Sequence, residues 1–463
     1  MTIDRLPDDV LLEMFAFYVG EISFYSIGAW HTLVHVCRKW RIVVFGAPWR
    51  LNLRLQCGTV RKPVRARETL DIWPPLPIVL WQHDHLAWDV DNIMAALEHN
   101  DRVCEIKLWD ASSSQLEQVL TAMQEPFPTL TNLLLRSRNE IAQVIPDSFL
   151  GGSAPRLREL TLDNIAFPEL RKLLPSATHL VELDLWRIPH SGYISPEAMV
   201  TCLSTLTRLE RFCLKFQSPQ SRSGRESRRP PPLIRSVLFA LTYFRFKGVS
   251  EYLEDFVARI DTPMLDNLDI TFFHQLIFDT PKLLQFIGRA PNLKAHDEAC
   301  VVVSDSGVRI APARPFVRGF RVNLEISCRQ SDWQVSSLAQ VCRSCFPHTF
   351  ISSLENFYIR EDGYPLPRWQ DDTENSQWLE LLHPFTAVKN LYLSKEFTPR
   401  IALVLRELVG ERAIEILPAL QSLFVEEINP DGPVQEAIGQ FVVARQLSSH
   451  PIAVSHWDKG QDE

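Results

Sequence analysis

The sequence predicts an α/β fold. A small N-terminal helical module precedes an irregular solenoid of strand–helix repeats, with a parallel sheet on the concave side and helices on the convex side. Three observations predict it. A short apolar pattern, L-x-x-L-x-L with conservative exchanges, recurs through most of the chain. Helix-like stretches separate its copies. Before the first copy, apolar residues keep helical rather than strand spacing.

The first helix begins at Leu6-Pro7-Asp8-Asp9. Proline suits a first helical position, where its missing N–H costs nothing, and two aspartates in the first turn complement the helix dipole. Leu6, Val10, Leu11, Met14 and Phe15 recur at three- and four-residue spacing and form one apolar face. A second helical stretch, about 28–44, places Leu33, Val36, Cys37, Trp40 and Val44 on one face, with Arg38, Lys39 and Arg41 off it.

The repeats follow. They are Val103/Ile106/Leu108, Leu130/Leu133/Leu135, Leu157/Leu160/Leu162, Leu180/Leu183/Leu185, Leu209/Phe212/Leu214, Leu241/Phe244/Phe246 and Leu265/Leu268/Ile270. Weaker copies are Val317/Phe320/Val322, Leu354/Phe357/Ile359, Val388/Leu391/Leu393 and Leu420/Leu423/Val425. One wider gap follows Leu265. Helical stretches between them include 115–123, 168–174, 196–203, 250–260, 282–287, 378–382 and 401–409. One strand and one helix cannot bury each other's apolar faces alone, so neighbouring units must stack, as in a leucine-rich solenoid. The position that usually holds a loop-bonding Asn or Cys holds Arg138, Ile165, Ile188, Gln217, Glu396 or Ile428, which predicts irregularity.

The expected organisation is a helical module over 1–56, a connector over 57–100, repeats over 101–430, and a capping helix with tail over 431–463. The capping helix, 434–446, carries Ile438, Phe441, Val442 and Arg445 on one apolar face with a basic last turn. The run 78–81 and the N-terminal helices are placed to cover the first end of the stack. The segments 217–232 and 363–376 lack apolar anchors and read as polar insertions.

Composition narrows the function. With 46% hydrophobic and 22% charged residues the chain is ordinary globular protein. A net charge of -8 supplies no field for nucleic acid or an anionic membrane. No apolar run approaches a bilayer span of about 20 residues; Met1-Thr2-Ile3-Asp4-Arg5 shows no basic stretch followed by an apolar one, so no signal peptide is expected. An intracellular location is expected. The nine cysteines are odd in number and scattered, which suits reduced core thiols. Cys342-x-x-Cys345 lacks a second ligand pair and reads as two core thiols on one helix face rather than a metal site. The arginines of 222–229 read as a flexible charged loop. No G-x-S-x-G, G-x-x-x-x-G-K-[ST], H-E-x-x-H or G-x-G-x-x-G occurs. The expectation is a non-enzyme without cofactor or metal.

Leu6-Pro7 opening a helix, then Val36-Cys37-Arg38-Lys39-Trp40, then Pro48-Trp49-Arg50-Leu51, resembles the F-box. The likeness covers about a tenth of the chain, at its start. The stretch 20–29 is longer and more aromatic than the compact form. Residues 378–394, 416–420 and 441–454 resemble a group of F-box proteins with leucine-rich-repeat-like domains from mushroom-forming fungi. The resemblance implies a Skp-type adaptor as partner and, through it, a cullin. It implies Leu6, Pro7, Val10, Leu11, Phe15 and Trp40 as adaptor-binding residues, and a solenoid that presents an unknown target protein. The alternative is a protein-binding scaffold outside any ligase, whose F-box helices serve only as an N-terminal cap.

Strand side chains alternate, so residues between the core positions point to the concave face. In the late repeats these are Tyr358, Tyr392 and Phe424, flanked by Asn356 and Asn390. An aligned aromatic row is a candidate target site. The competing reading packs the C-terminal tail across it. Trp109 and Trp186 are similar candidates earlier.

Overall fold

The computed structural model describes residues 6–21, 29–46, 52–57, 66–72, 75–82, 87–138, 142–219, 234–293, 297–313, 321–328, 331–346, 348–362, 375–408, 410, 412–426 and 432–458. The chain divides into two compact units, residues 1–213 and 214–463.

The first unit opens with three helices, Asp8–Glu21, Ala29–Val36 and Arg38–Gly46. The single long helix expected over 28–44 is broken at Cys37. Its thiol accepts the Trp40 backbone N–H at 3.5 Å, and its carbonyl accepts that of Arg41 at 3.1 Å. Cys37 therefore caps the third helix. The Pro7 carbonyl accepts the Leu11 N–H, so Pro7 stands just before the first helix rather than inside it.

Six strands then form a parallel ladder: Leu53–Gln56, Ile78–Trp81, Val103–Ala111, Asn132–Ser137, Glu159–Asp163 and Glu182–Ile188. The repeat residues fall in register, Ile106 beside Leu133 beside Leu160 beside Leu183, and Leu108 beside Leu135 beside Leu162 beside Leu185. All eight are buried, each worth about 1.5–3 kcal/mol. The ladder begins earlier than expected. The supposed connector supplies Leu53–Gln56, Ile78–Trp81 and the helices Ala66–Ile72 and Val90–Leu97, so 78–81 is a ladder strand and not an end cover. A four-residue strand without the L-x-x-L-x-L spacing gave no repeat signal.

The second unit carries the strands Tyr243–Gly248, Asn267–Phe273, Arg321–Ser327, Gly307–Ala311, Glu298–Val303, Asn356–Glu361, Asn390–Leu393, Ser422–Val425 and Ala453–His456, in that spatial order. All neighbours are parallel except Gly307–Ala311, which is antiparallel to both of its own. The gap after Leu265 is thus an inserted hairpin. Glu298–Val303 lies beyond the next ladder position, Gly307–Ala311 turns back, and Arg321–Ser327 settles beside Asn267–Phe273. A Cβ at Gly307 would collide with the Ile326 carbonyl oxygen, so the turn back needs glycine there. Val322 is a buried ladder residue, whereas Val317 and Phe320 lie outside the described residues.

Helices link successive strands and pack against one another, Ser250–Val257 on Pro281–Arg289, then Ser331–Cys345, Asn375–Leu382 and Thr398–Arg406. Thr280 offers no side-chain cap to Pro281–Arg289. Glu254 of the preceding helix supplies it, accepting from the backbone N–H of Lys282 at 2.9 Å and of Leu283 at 2.7 Å. The last helix, Pro433–Leu447, buries Ala437, Ile438, Phe441 and Arg445. Arg445 lies on the apolar face, as its spacing predicts, and is fully buried there. Its guanidinium donates to the carbonyls of Ala413 at 3.0 Å and Leu420 at 2.8 Å.

Candidate interaction surfaces

The N-terminal helices separate the expected adaptor-binding residues into two groups. Leu11 and Phe15 are 0% and 3% exposed, packed inside the module. Trp40 is half-buried, its ring 4.8 Å from that of Phe15. Leu6 is half-buried and Pro7 exposed. The Lys39 ammonium donates to the Leu6 carbonyl at 2.7 Å and lies 3.8 Å from Asp8, tying the third helix to the start of the first. The apolar face read from spacing is thus not one surface. Leu11 and Phe15 turn inward, while Val10, Met14 and Phe17 are 40%, 45% and 66% exposed. Their i, i+4, i+7 spacing puts these three on one stripe of the helix. Phe17 was the missed residue. Its signal was that same spacing, masked by the stronger Leu11/Phe15 pattern. The Pro48-Trp49-Arg50-Leu51 exit lies outside the described residues.

On the strand face of the second unit, Tyr358, Tyr392 and Phe424 occupy one row of the register. Tyr358 and Tyr392 stack with centroids 4.2 Å apart and planes 12° apart, and Tyr392 and Phe424 with centroids 4.5 Å and planes 7° apart. Below them Asn390 donates to Asn356 at 2.8 Å. The structure therefore assembles all five residues. It also brings in Trp457, which is nearly buried and lies 5.8 Å from Tyr358 and 5.7 Å from Tyr392. The tail does cross the row: Ala453–His456 extends the ladder beside Ser422–Val425, and Trp457 N–H is held by the Val425 carbonyl at 2.8 Å. The rings remain half-buried, so an outer part of the row stays accessible.

In the first unit Trp109 is fixed by its backbone. Its N–H donates to Gln82 at 2.9 Å and its carbonyl accepts from the Trp88 indole at 2.6 Å. The Arg136 guanidinium lies 6.0 Å from the Trp109 ring. Asp163 is bridged by two arginines, Arg136 at 3.3 Å and Arg187 at 2.6 Å, and Arg136 also reaches Asp110 at 3.5 Å. Asp110, Asn164 and Arg187 hold positive φ of 54°, 59° and 47°, a costly conformation for residues other than glycine.

The described cysteines are all free. Burial pushes the Cys57 thiol up to about 12 and the Cys345 thiol up to about 11, and raises Cys342 strongly. Such thiols stay protonated and are poor nucleophiles and metal ligands. Among the described residues no three His, Cys, Asp or Glu side chains group as a metal site requires, and no helix is long and apolar enough to cross a membrane. The arginines of 222–229 lie outside the described residues.

No family model matches the sequence, and no curated protein does. Among solved structures, the leucine-rich repeat-containing protein LegL7 from Legionella pneumophila is similar, with 12% identity over 84% of this chain and 97% of that chain, at a TM-score of 0.25. A likeness that distant carries no weight for fold or function.

Proposed function

We propose that the chain is the target-receptor subunit of a Skp/cullin/F-box-type ubiquitin ligase, with the N-terminal helices docking on the adaptor and the strand ladder binding a target protein. The observation that carries this reading is the Val10, Met14 and Phe17 stripe, apolar and exposed on a helix whose opposite side is anchored by Leu11, Phe15 and Trp40. Such a stripe matches the helix-in-groove mode of recognition. The F-box resemblance of residues 6–51 supplies the identity of the groove.

Magnitudes favour a rigid module over a lone helix. Three apolar side chains contribute at most about 1.5–3 kcal/mol each on burial, which is of the order of the roughly 4–15 kcal/mol that association costs. The Phe15–Trp40 contact and the Lys39 bond to the Leu6 carbonyl stiffen the helix before it binds, which lowers that cost. The chain itself breaks no bond in this role; it raises the local concentration of the target at the ubiquitin-loaded enzyme. Co-expression of the full chain with a Skp-type adaptor and a cullin tests it. A stoichiometric ternary complex supports the ligase reading. A folded chain that captures no adaptor leaves the helices as a cap and the protein as a scaffold outside any ligase.

A further inference from the structure

The last strand of the ladder, Ala453–His456, is held differently from its neighbour Ser422–Val425. The neighbour buries Leu423 and Val425 on the core side. Val454 and His456 stand beside these two in the register, yet all four residues of the last strand are exposed. Among the described residues no strand lies beyond it. What fixes it is the backbone ladder, in which the Ala453 N–H donates to the Gln421 carbonyl and the Trp457 N–H to that of Val425, both at 2.8 Å. One buried side chain flanks it at each end, Ile452 before and Trp457 after. Backbone bonds are open to any extended segment, so only these two flanking positions are read by side chain.

The join to the rest of the chain lets this strand leave alone. The preceding helix, Pro433–Leu447, stays fixed by buried Ile438, Phe441 and Arg445. It ends in a Schellman turn. The Ser449 N–H donates to the Gln446 carbonyl at 3.1 Å and the His450 N–H to that of Arg445 at 2.9 Å, with Ser449 at φ 63° where glycine is usual. Both bonds close within the helix end and do not depend on the strand. Ser449, His450 and Pro451 are exposed. Departure of the strand bares the edge of Ser422–Val425, together with the sides of Tyr358 and Tyr392 that Trp457 covers at 5.8 Å and 5.7 Å.

Resting on the reading of this strand face as the target-binding face, we propose that an extended segment of the target bearing an aromatic residue takes the place of the tail strand. It pairs in parallel with Ser422–Val425, and its aromatic ring enters the place of Trp457 against Tyr392 and Tyr358. The tail itself shows the stereochemistry of the occupant: an aliphatic residue at the Ile452 position, four residues whose side chains are free to vary, then the aromatic one. Buried aromatic rings carry much of the energy at such contacts. The tail is then a built-in competitor, and the apparent affinity for the target scales with the fraction of molecules whose tail is unseated.

The test uses the full chain and a labelled peptide with the tail's own sequence over 450–458, HPIAVSHWD, beside the same peptide with alanine in place of tryptophan. Fluorescence anisotropy is expected to show the Trp457→Ala chain binding the tail peptide at least tenfold more tightly than the wild type does, because its own strand competes less. The alanine peptide should bind that variant at least tenfold more weakly than the tail peptide, and adding Tyr392→Ala to the variant should cancel the gain. Equal binding by the wild type and Trp457→Ala, no binding by either, or binding indifferent to the peptide's tryptophan overturns the proposal. Hydrogen exchange of the unsubstituted chain gives a reading that no misfolded variant can spoil. Excess unlabelled tail peptide should strip protection from the amides of Ala453 and Trp457, while those of Ser422 and Glu426, bonded to the Lys389 and Leu393 carbonyls, keep theirs. Tail amides equally protected with and without the peptide overturn the exchange. Adaptor capture by the N-terminal helices does not involve the tail, so measured on the same chains it reports separately on the ligase reading.

Discussion

Tyr392 stacks on Tyr358 with centroids 4.2 Å apart and only 12° between the rings. Their positions are set by parallel register, since Tyr358 and Tyr392 are ladder partners on adjacent strands. Trp457 covers both from the tail. Replacing Trp457 by Ala is expected to destabilise the second unit by about 3 kcal/mol, the lower range for removing a buried Trp, while leaving the row itself in place. Chemical denaturation of the full chain, with near-ultraviolet circular dichroism to follow the tyrosines, measures both. Loss of less than about 1 kcal/mol would mean that the tail lies loosely on the row.

Arg445 should be among the least replaceable residues of the C-terminal helix. Its guanidinium is buried and serves the carbonyls of Ala413 and Leu420. Burial lowers its pKa from the ordinary arginine value. Arg445→Met fills similar volume but leaves the carbonyls without donors, at about 1–3 kcal/mol for each buried group. Arg445→Lys should recover only part of the loss, because an ammonium cannot span both acceptors. Melting temperatures of the two variants decide the order.

Glu254 caps a helix that is not its own. Glu254→Ala removes the acceptor for the Lys282 and Leu283 N–H groups and is expected to cost about 1–2 kcal/mol. Glu254→Gln keeps an acceptor and should cost less. Hydrogen exchange at the start of Pro281–Arg289 should accelerate in the Ala variant while the ladder strands are unchanged.

The buried thiols predict an alkaline limb of stability. Cys57 and Cys345 titrate near 12 and 11 when folded, against an ordinary value of 9.0. The folded state therefore holds the proton more tightly than the unfolded chain. That contribution is complete below about pH 9 and is lost as pH rises through 11 to 12. Thiol titration with a disulfide reagent at pH 8 should leave these two unreacted in the native chain and reactive in denaturant. Fast native reaction at Cys57 or Cys345 would contradict their placement.

Much of the ladder could be read from the sequence because burial and period coincide. Leu133, Leu160 and Leu183 are both the pattern and the core. The same holds for the capping helix through Ile438 and Phe441. Three features escaped. Ile78–Trp81 is too short to carry the repeat spacing. The hairpin at 298–311 breaks the order of strands, which periodicity along the chain cannot report. The partners of Arg445 are distant carbonyls, which its place on the helix face does not disclose. At the candidate site, Tyr358, Tyr392 and Phe424 were legible from strand alternation, whereas Trp457 has no pattern around it. In the first helix, spacing marked Leu11 and Val10 alike as apolar. Only packing against Trp40 and its helix distinguishes the inward from the outward residues.

The measurement that bears most directly on the proposed role is adaptor affinity of the full chain with the outward stripe changed, Val10→Asp, Met14→Asp and Phe17→Asp together, beside the wild type. These side chains are exposed, so the fold should persist, as circular dichroism can verify. The account predicts nanomolar to micromolar binding by the wild type and a loss of at least a hundredfold, about 2.7 kcal/mol, in the variant. Equal adaptor binding by both, or none by the folded wild type, would contradict it.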